Sequence, residues 1–368
     1  MDLVDSMDAV DSVDSTRPTP RPQRPESPRR PFLWAVVVSL ALLPVFGCEP
    51  ARQLPRSAVH STPAPPPVSG DLSVQARQIL LEGLADADPQ IRANAVEMVA
   101  STHEIGLAPI VHKLLADPVV PVKFAALLAV GDLEYAPAGN DAGPLLNDAN
   151  PNIKIAAAYA MSRLGQPELY KEVCNALSGS DQTVRANAAL LLGKSGRKEG
   201  IRYLYWALQR DDSSEMVVMQ AAESIAMLGD RRIYPKLWTR LISAYADDRV
   251  IGVRAMGALG TDEAESAIFT MLDDPVPEVR LAAAEQIGKR GDSGGEAEVL
   301  AVFEKNLMAD MDIQGQERVK TLAALAIGEV ATEQTGQYLP QLLQDSSKRV
   351  RLAAAKAVLR RAGKKQPS

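Results

Sequence analysis

The chain repeats a short pattern with a period of 31 residues. Each copy opens with a branched apolar residue followed by a block similar to Val-Arg-x-x-Ala-Ala. These opening residues are Ile91, Val122, Ile153, Val184, Val217, Val279, Val319 and Val350, and a degenerate copy centres on Arg249. A fixed period of about 20–50 residues is typical of solenoids, whose units share a core that none can form alone. The repeat therefore predicts one array rather than several separate domains.

Each copy reads as a pair of helices. In residues 262–291, Asp262 is placed to cap a first helix with apolar residues at helical spacing. The Asp-Asp-Pro sequence at 273–275 ends that helix, because the residue before proline avoids the helical region. A second helix then starts near Glu278 and ends at Gly288. We expect an all-α fold, an α-α superhelix of about nine helical pairs.

The centre of each second helix carries small residues, such as Ala188-Ala189 and Ala283-Ala284, which let neighbouring helices pack closely. Pairs packed about 10 Å apart would form an elongated array roughly 80–90 Å long. A basic residue also follows most opening positions, as at Arg92, Lys123 and Lys320. We interpret these cations as a structural ladder that pairs with Asp residues of the adjacent inter-helix turns, rather than as a ligand site.

These blocks resemble HEAT repeats, specifically the short class also found in phycobilin lyases and in deoxyhypusine hydroxylase. The resemblance covers about residues 71–362. It implies an α-α superhelix and says little about activity, because a fold does not fix a function. We place the solenoid at residues 71–364 and a short tail at residues 365–368.

The first 47 residues read as a signal peptide with a long, disordered n-region. An apolar run at residues 32–46 follows two arginines and is shorter than the roughly 20 residues of a membrane-spanning helix. The sequence at residues 45–48 resembles the lipobox of bacterial lipoproteins, although Phe46 departs from it. The resemblance implies cleavage before Cys48 and lipidation of its thiol. The alternatives are an uncleaved signal-anchor and a chance cysteine.

Residues 48–70 are rich in proline and show no apolar periodicity, which predicts an extended tether behind the lipidated Cys48. We expect a membrane-anchored protein of the bacterial cell envelope, with the outer membrane, facing the periplasm, as the default location. The net charge of −6 does not favour nucleic-acid binding.

The residue inventory suggests no catalytic set. One His-Glu pair, His103-Glu104, is present where a hydroxylase-like di-iron site would need several, and we interpret it as an exposed inter-helix turn. Phosphate-binding loops and Ser/His/Asp sets are missing from the sequence. We therefore predict no catalytic residues, no metal site, no cofactor, no small-molecule substrate and no enzymatic activity.

A binding surface for an unidentified protein or peptide is expected on the second helices. By helical geometry, positions two and six residues after the opening residue point away from the packed face of the pair. In repeats two to four they hold an apolar set: Phe124, Leu128, Ile155, Tyr159 and Leu190. We predict that this set lines a groove for an extended or helical segment. Alternatively, tight curling of the superhelix covers it.

A second contact patch, Tyr203 and Trp206, is predicted on the opposite wall. Together these features predict a non-catalytic envelope lipoprotein that acts as a protein-binding scaffold or assembly factor. The alternative is a cofactor-handling enzyme related to phycobilin lyases or deoxyhypusine hydroxylase.

Overall fold

The computed structural model describes residues 71–365, and every regular element among them is helical. The predicted signal peptide at 1–47, Cys48 with the tether at 48–70, and residues 366–368 lie outside the described residues. In the part described, no helix combines the length and apolarity needed to cross a bilayer.

The helices run in the order α1 (Leu72–Leu84), α2 (Pro89–Thr102), α3 (Ala108–Lys113), α4 (Val120–Asp132), α5 (Gly139–Ala142), α6 (Pro151–Arg163), α7 (Tyr170–Ala176), α8 (Gln182–Lys194), α9 (Ile201–Gln209), α10 (Glu215–Met227), α11 (Tyr234–Leu241), α12 (Ala246–Leu259), α13 (Asp262–Thr270), α14 (Pro277–Lys289), α15 (Glu296–Glu304), α16 (Ile313–Val330), α17 (Glu333–Gly336), α18 (Leu339–Leu342) and α19 (Lys348–Lys365). Short 3₁₀ turns lengthen many of the first helices of the pairs. The expected nine helical pairs are confirmed over residues 71–365.

Capping residues set the start of several inner helices, whereas α4, α12 and α14 begin without a side-chain cap. The side chains of Asp88, Asn150 and Asp181 each accept a hydrogen bond from a backbone N–H in the first turn of the next helix. The predicted Asp262 cap is shifted by one residue, because the hydroxyl of Thr261 accepts the bond from the Ala264 N–H. Local sequence thus fixes helix starts to within one residue.

The second helices of the pairs (α2, α4, α6, α8, α10, α12, α14, α16 and α19) pack against one another in succession and are called the inner helices. Ala188, Ala283 and Ala354 at their centres are fully buried. A Cβ added at Gly288 of α14 would lie 2.5 Å from the backbone of Glu329 in α16. Small residues therefore permit the close approach that the alanine pattern predicted.

The predicted structural ladder of cations is present in part: within residues 71–365, Lys154 and Arg351 form no ion pair, and Arg351 donates to the backbone carbonyls of Asp345 and Ser346 instead. The recorded ion pairs between an inner helix and the next turn are Arg92–Asp117, Lys123–Asp148, Arg185–Asp212, Arg249–Asp274 and Lys320–Asp345. Arg249 keeps the pairing, at 2.7 Å, although its repeat is degenerate in sequence. Arg280 instead contacts Glu298, beyond the inserted turn at 292–295.

Within the described residues, the array closes on itself. Helix α19 packs against α16 on one side and against α1 and α2 on the other. Leu352 of α19 lies against Gly83 of α1. The expected elongated array is therefore wrong. The closely packed inner helices curve the array until its ninth pair meets the first, which completes a ring.

Candidate functional site

The five residues of the predicted groove are not an exposed surface. Phe124, Leu128, Ile155, Tyr159 and Leu190 are each no more than 5% exposed. The curvature of the ring presses neighbouring inner helices together, so their lateral faces cover one another. The Tyr159 ring lies against Gly131 of α4, where an added Cβ would be 2.8 Å from the ring. The prediction that these residues line an exposed groove is therefore wrong. The alternative, in which tight curling of the superhelix covers their side chains, is the arrangement found.

A concave site of about 310 Å³ nevertheless lies beside this set, and we call it the interior cavity. Four consecutive inner helices, α2, α4, α6 and α8, supply its walls from their C-terminal halves and last turns. Its lining residues are Glu97, Ala100, Ser101, His103, Ala125, Leu128, Ala129, Asp132, Tyr159, Arg163 and Lys194. Two of them, Leu128 and Tyr159, belong to the predicted set.

Charged side chains at the ends of these helices form a linked network. The Lys194 ammonium lies 2.8 Å from a carboxylate oxygen of Asp132. This ion pair joins α8 to α4 across the end of α6. The other oxygen of Asp132 accepts a 2.6 Å hydrogen bond from the Tyr159 hydroxyl. The Arg163 guanidinium pairs with Glu134 at 2.7 Å. These links hold both cations at the cavity in defined positions.

The environment of Tyr159 keeps its hydroxyl protonated. Burial raises the pKa of this phenol well above its usual range, and the negative charge of Asp132 raises it further. Tyr159 therefore acts as a hydrogen-bond donor that orients Asp132.

A second charged group lies on α10, α12 and α14. Burial alone would raise the pKa of Glu285, but Lys289 and Arg254 outweigh it and hold that pKa at about 2. The Lys289 ammonium is 2.8 Å from a Glu285 oxygen. Burial raises the pKa of Glu223, against the opposing effect of Arg254. In this group, the two cations Arg254 and Lys289 balance the two carboxyl groups of Glu223 and Glu285.

Sequence reasoning did not single out Asp132, Arg163 and Lys194 as site residues. A signal for them exists, because each lies ten residues after the opening residue of its repeat. Position ten is one helical turn beyond position six, so both lie on the same face of an inner helix.

His103 lies in an inter-helix turn, as predicted. His103 ends α2 with a left-handed backbone (φ 54°) and is exposed at the interior cavity, while Glu104 pairs with Arg77. His112 contacts Asp141 at 2.7 Å. Among residues 71–365, no group of three or more His, Cys, Asp or Glu side chains is arranged to hold a metal ion.

The second predicted patch lies on the outer helices. Trp206 is 43% exposed and Tyr203 is half-buried. The Arg210 guanidinium lies 4.6 Å from the centroid of the Trp206 ring, and Arg202 lies at the same distance over Tyr203. The structure therefore brings Tyr203 and Trp206 onto one helix, α9, where each is covered by an arginine.

Comparison with known proteins supports the repeat architecture. A family model described as HEAT repeats matches residues 170–252, and another described as HEAT repeat matches residues 266–289. The chain is 34% identical over 113 residues to the bilin biosynthesis protein MpeU of Synechococcus sp. strain WH8020. The match covers 29% of this chain and 37% of the relative, so the chain spans little more than a third of that protein's length.

A search of solved structures matches the chain to human deoxyhypusine hydroxylase in complex with glycerol, at 16% identity and a TM-score of 0.35, with 72% of this chain and 99% of that chain covered. Another match is the complex of CpcE and CpcF of phycocyanin lyase from Nostoc sp. PCC7120. It shows 16% identity and a TM-score of 0.39, with 68% of this chain and 94% of that chain covered.

The match to MpeU corrects two predictions. The chain was expected to have no enzymatic activity and no small-molecule substrate, yet the shared stretch belongs to a protein of bilin biosynthesis. The alternative prediction, a cofactor-handling enzyme related to phycobilin lyases, agrees better with this finding than the non-catalytic scaffold does.

Proposed function

We propose that this chain, which carries HEAT repeats, binds a bilin, an open-chain tetrapyrrole, in the interior cavity and promotes its attachment to a thiol. The observation that carries the proposal is the 34% identity to MpeU over 113 residues. The interior cavity supplies a place for such a molecule on the inner helices.

The cavity offers both kinds of contact that a bilin requires. Ala125, Leu128 and Ala129 of α4 line the floor of the cavity, where each is at most 3% exposed, so they would offer a small apolar contact to one pyrrole ring. Arg163 and Lys194 lie at the ends of the next two inner helices, where they would bind the propionate groups. Because Glu134 and Asp132 already hold these cations, little side-chain freedom would be lost on binding.

The size of the cavity limits how much of the ligand it encloses. Ligand pockets commonly measure about 300–1,000 Å³, and the 310 Å³ of this cavity lies at the lower end of that range. A bilin would therefore be held by part of its length. The remainder would stay accessible to a second molecule, as attachment to a thiol demands.

The proposed reaction is an addition and needs no oxidant. The sulfur of the thiol forms a bond to a carbon of an exocyclic double bond of the bilin, and the π bond breaks. The thiol proton passes to His103, and the imidazolium returns a proton to the neighbouring carbon. His103 is suited to this role because it is exposed at the cavity rather than buried in the core.

Binding is tested by titrating the purified chain with biliverdin and recording its visible absorption. We expect a saturable spectral shift in the native protein. Arg163→Ala should weaken binding by about tenfold, or about 1.4 kcal/mol. The matched control is Arg240→Ala, which removes an arginine of outer helix α11 that is paired with Glu215 at 3.2 Å. Equal affinities of the two variants, or no shift with the native chain, would overturn the proposal.

Attachment is tested with phycocyanobilin and a cysteine-containing peptide, with the adduct measured by mass spectrometry. The native chain should raise the rate of adduct formation over that without protein. His103→Gln should lower that rate at unchanged bilin affinity. A rate that is the same with and without the chain would contradict the catalytic part of the proposal and leave the binding part standing.

A further inference from the structure

The outer side of three successive repeats is unusually rich in arginine–aromatic contacts. Four such contacts occur among residues 71–365: Arg197 over Tyr170, Arg202 over Tyr203, Arg210 over Trp206 and Arg232 over Tyr205. All of them fall within residues 170–232. Energetically significant contacts of this kind occur about once per 70–80 residues in proteins, so this stretch is enriched several-fold.

Three of these contacts lie on one surface. Helix α9 carries Tyr203, Tyr205 and Trp206. Arg232, which precedes α11, lies 5.2 Å from the Tyr205 ring and joins the two outer helices. On α11, Trp238 stacks on Tyr234 with ring centroids 6.2 Å apart and remains 39% exposed. We call the surface formed by α9, Arg232 and α11 the outer aromatic face.

The charge of this face is opposite to that of the whole chain, whose net charge is −6. Arg210 and Arg232 are paired with Asp212 and Asp230. On the face itself, the exposed Arg202 and Lys236 have no ion pair among the described residues. Beside it, two more exposed cations, Lys198 and Arg231, and two exposed acids, Glu199 and Asp211, are also without an ion pair. The face therefore presents uncompensated positive charge beside exposed aromatic rings.

We propose that the outer aromatic face binds an acidic segment of a protein partner. Trp, Tyr and Arg are the residues that carry most binding energy at protein interfaces. Asp212 accepts two hydrogen bonds from Arg210, which fixes that guanidinium over Trp206 before a partner arrives. Carboxylates of the partner meet the free cations, and its apolar side chains meet Trp206 and Trp238.

A protein segment fits this face better than a membrane surface. Asp211, Asp212 and Asp230 are interspersed among the cations, and anionic headgroups would be repelled by them. An extended or helical protein segment can place its acidic residues over the cations alone. This inference does not depend on the proposed bilin site, which lies on the inner helices.

The test uses the full chain and a synthetic peptide of Glu, Asp, Leu and Phe, with tryptophan emission as the readout. A peptide with Lys in place of the acidic residues is the first control. We expect saturable binding of the acidic peptide only. Arg202→Glu with Lys236→Glu should weaken that binding at least tenfold, while thermal melting stays unchanged.

The matched control is Lys113→Glu with Lys305→Glu, which makes the same change of charge at exposed lysines of other outer helices. This variant should bind the acidic peptide as the native chain does. The inference is overturned if the acidic peptide fails to bind, if both double variants lose binding equally, or if only vesicles containing phosphatidylserine bind.

Discussion

Lys348, the first residue of the last helix, forms an ion pair with Asp86, in the turn after the first helix, at 2.7 Å. The pair repeats, between the last and first units, the type of link that joins successive units elsewhere. The Lys348 ammonium and the Asp88 backbone N–H lower the pKa of the Asp86 carboxyl. Since the Lys348 side chain is half exposed, the pair alone contributes at most about 1 kcal/mol.

Apolar packing, rather than this ion pair, should hold the ring closed. Leu352 is 1% exposed and fills the space left by Gly83. We expect Leu352→Ala to lower the free energy of unfolding by about 2–5 kcal/mol, measured by urea denaturation. Lys348→Ala is the control and should cost less than about 1 kcal/mol. The opposite ranking of the two variants would show that closure is electrostatic.

Stability should fall in acid partly through Glu285. Its folded-state pKa of about 2 lies below the ordinary glutamate value, so its contribution is present above the unfolded-state pKa and is lost as the pH falls towards 2. We expect Glu285→Gln to be less stable than the native chain at pH 7, by on the order of 3 kcal/mol. The difference should shrink between about pH 4 and pH 2.

Chemical denaturation across that pH range measures the effect. Glu304→Gln, at an exposed glutamate of α15, is the control and should track the native chain at every pH. A gap between Glu285→Gln and the native chain that is constant with pH would contradict the assignment of this titration to Glu285.

The contact between α4 and α6 should be sensitive to one methyl group. A Cβ at Gly131 would lie 2.8 Å from the Tyr159 ring, whereas one at Gly143 would lie 4.0 Å from the nearest atom, in Met161. We expect Gly131→Ala to destabilise the protein by about 1–3 kcal/mol and to weaken biliverdin binding. Gly143→Ala should change neither. Thermal melting and the absorption titration check both values, and equal behaviour of the two variants would refute the proposed packing.

Membrane attachment remains a prediction of the sequence alone. If the thiol of Cys48 is lipidated, Cys48→Ser should abolish incorporation of labelled palmitate during expression in a bacterial host. The variant should also move from the membrane fraction to the soluble fraction. Cys174→Ser, at a buried cysteine of α7, is the control and should leave labelling intact. Labelling that persists in Cys48→Ser would exclude the proposed anchor.

The sequence predicts the helical pairs well, because their boundaries are set by local chemistry. Pro89 and Pro151 lie in first turns, Asp88 and Asn150 cap them, and Arg249 reveals a repeat whose opening block is degenerate. Closure of the ring could not be predicted in this way. It depends on small angles between pairs that add over nine units, and no single residue encodes their sum.

The same reason explains the error at the candidate site. Helical geometry gave the direction of Phe124 and Leu190 relative to their own pair, but their exposure depends on how closely the next pair approaches. Residues at position ten, such as Arg163 and Lys194, follow the same geometry and could have been selected from the sequence. Their partners Glu134 and Asp132 belong to α4 or the turn after it, and only the assembled array brings them together.

A circle of units has no outermost member from which unravelling can begin. In an open stack, the terminal unit detaches by breaking one interface, whereas here the first unit to leave must break two. Loss of structure should therefore be a single event rather than stepwise fraying. It also follows that new chain ends placed in any inter-unit turn, with the original ends of the described segment joined by a flexible linker, should yield a folded circular permutant.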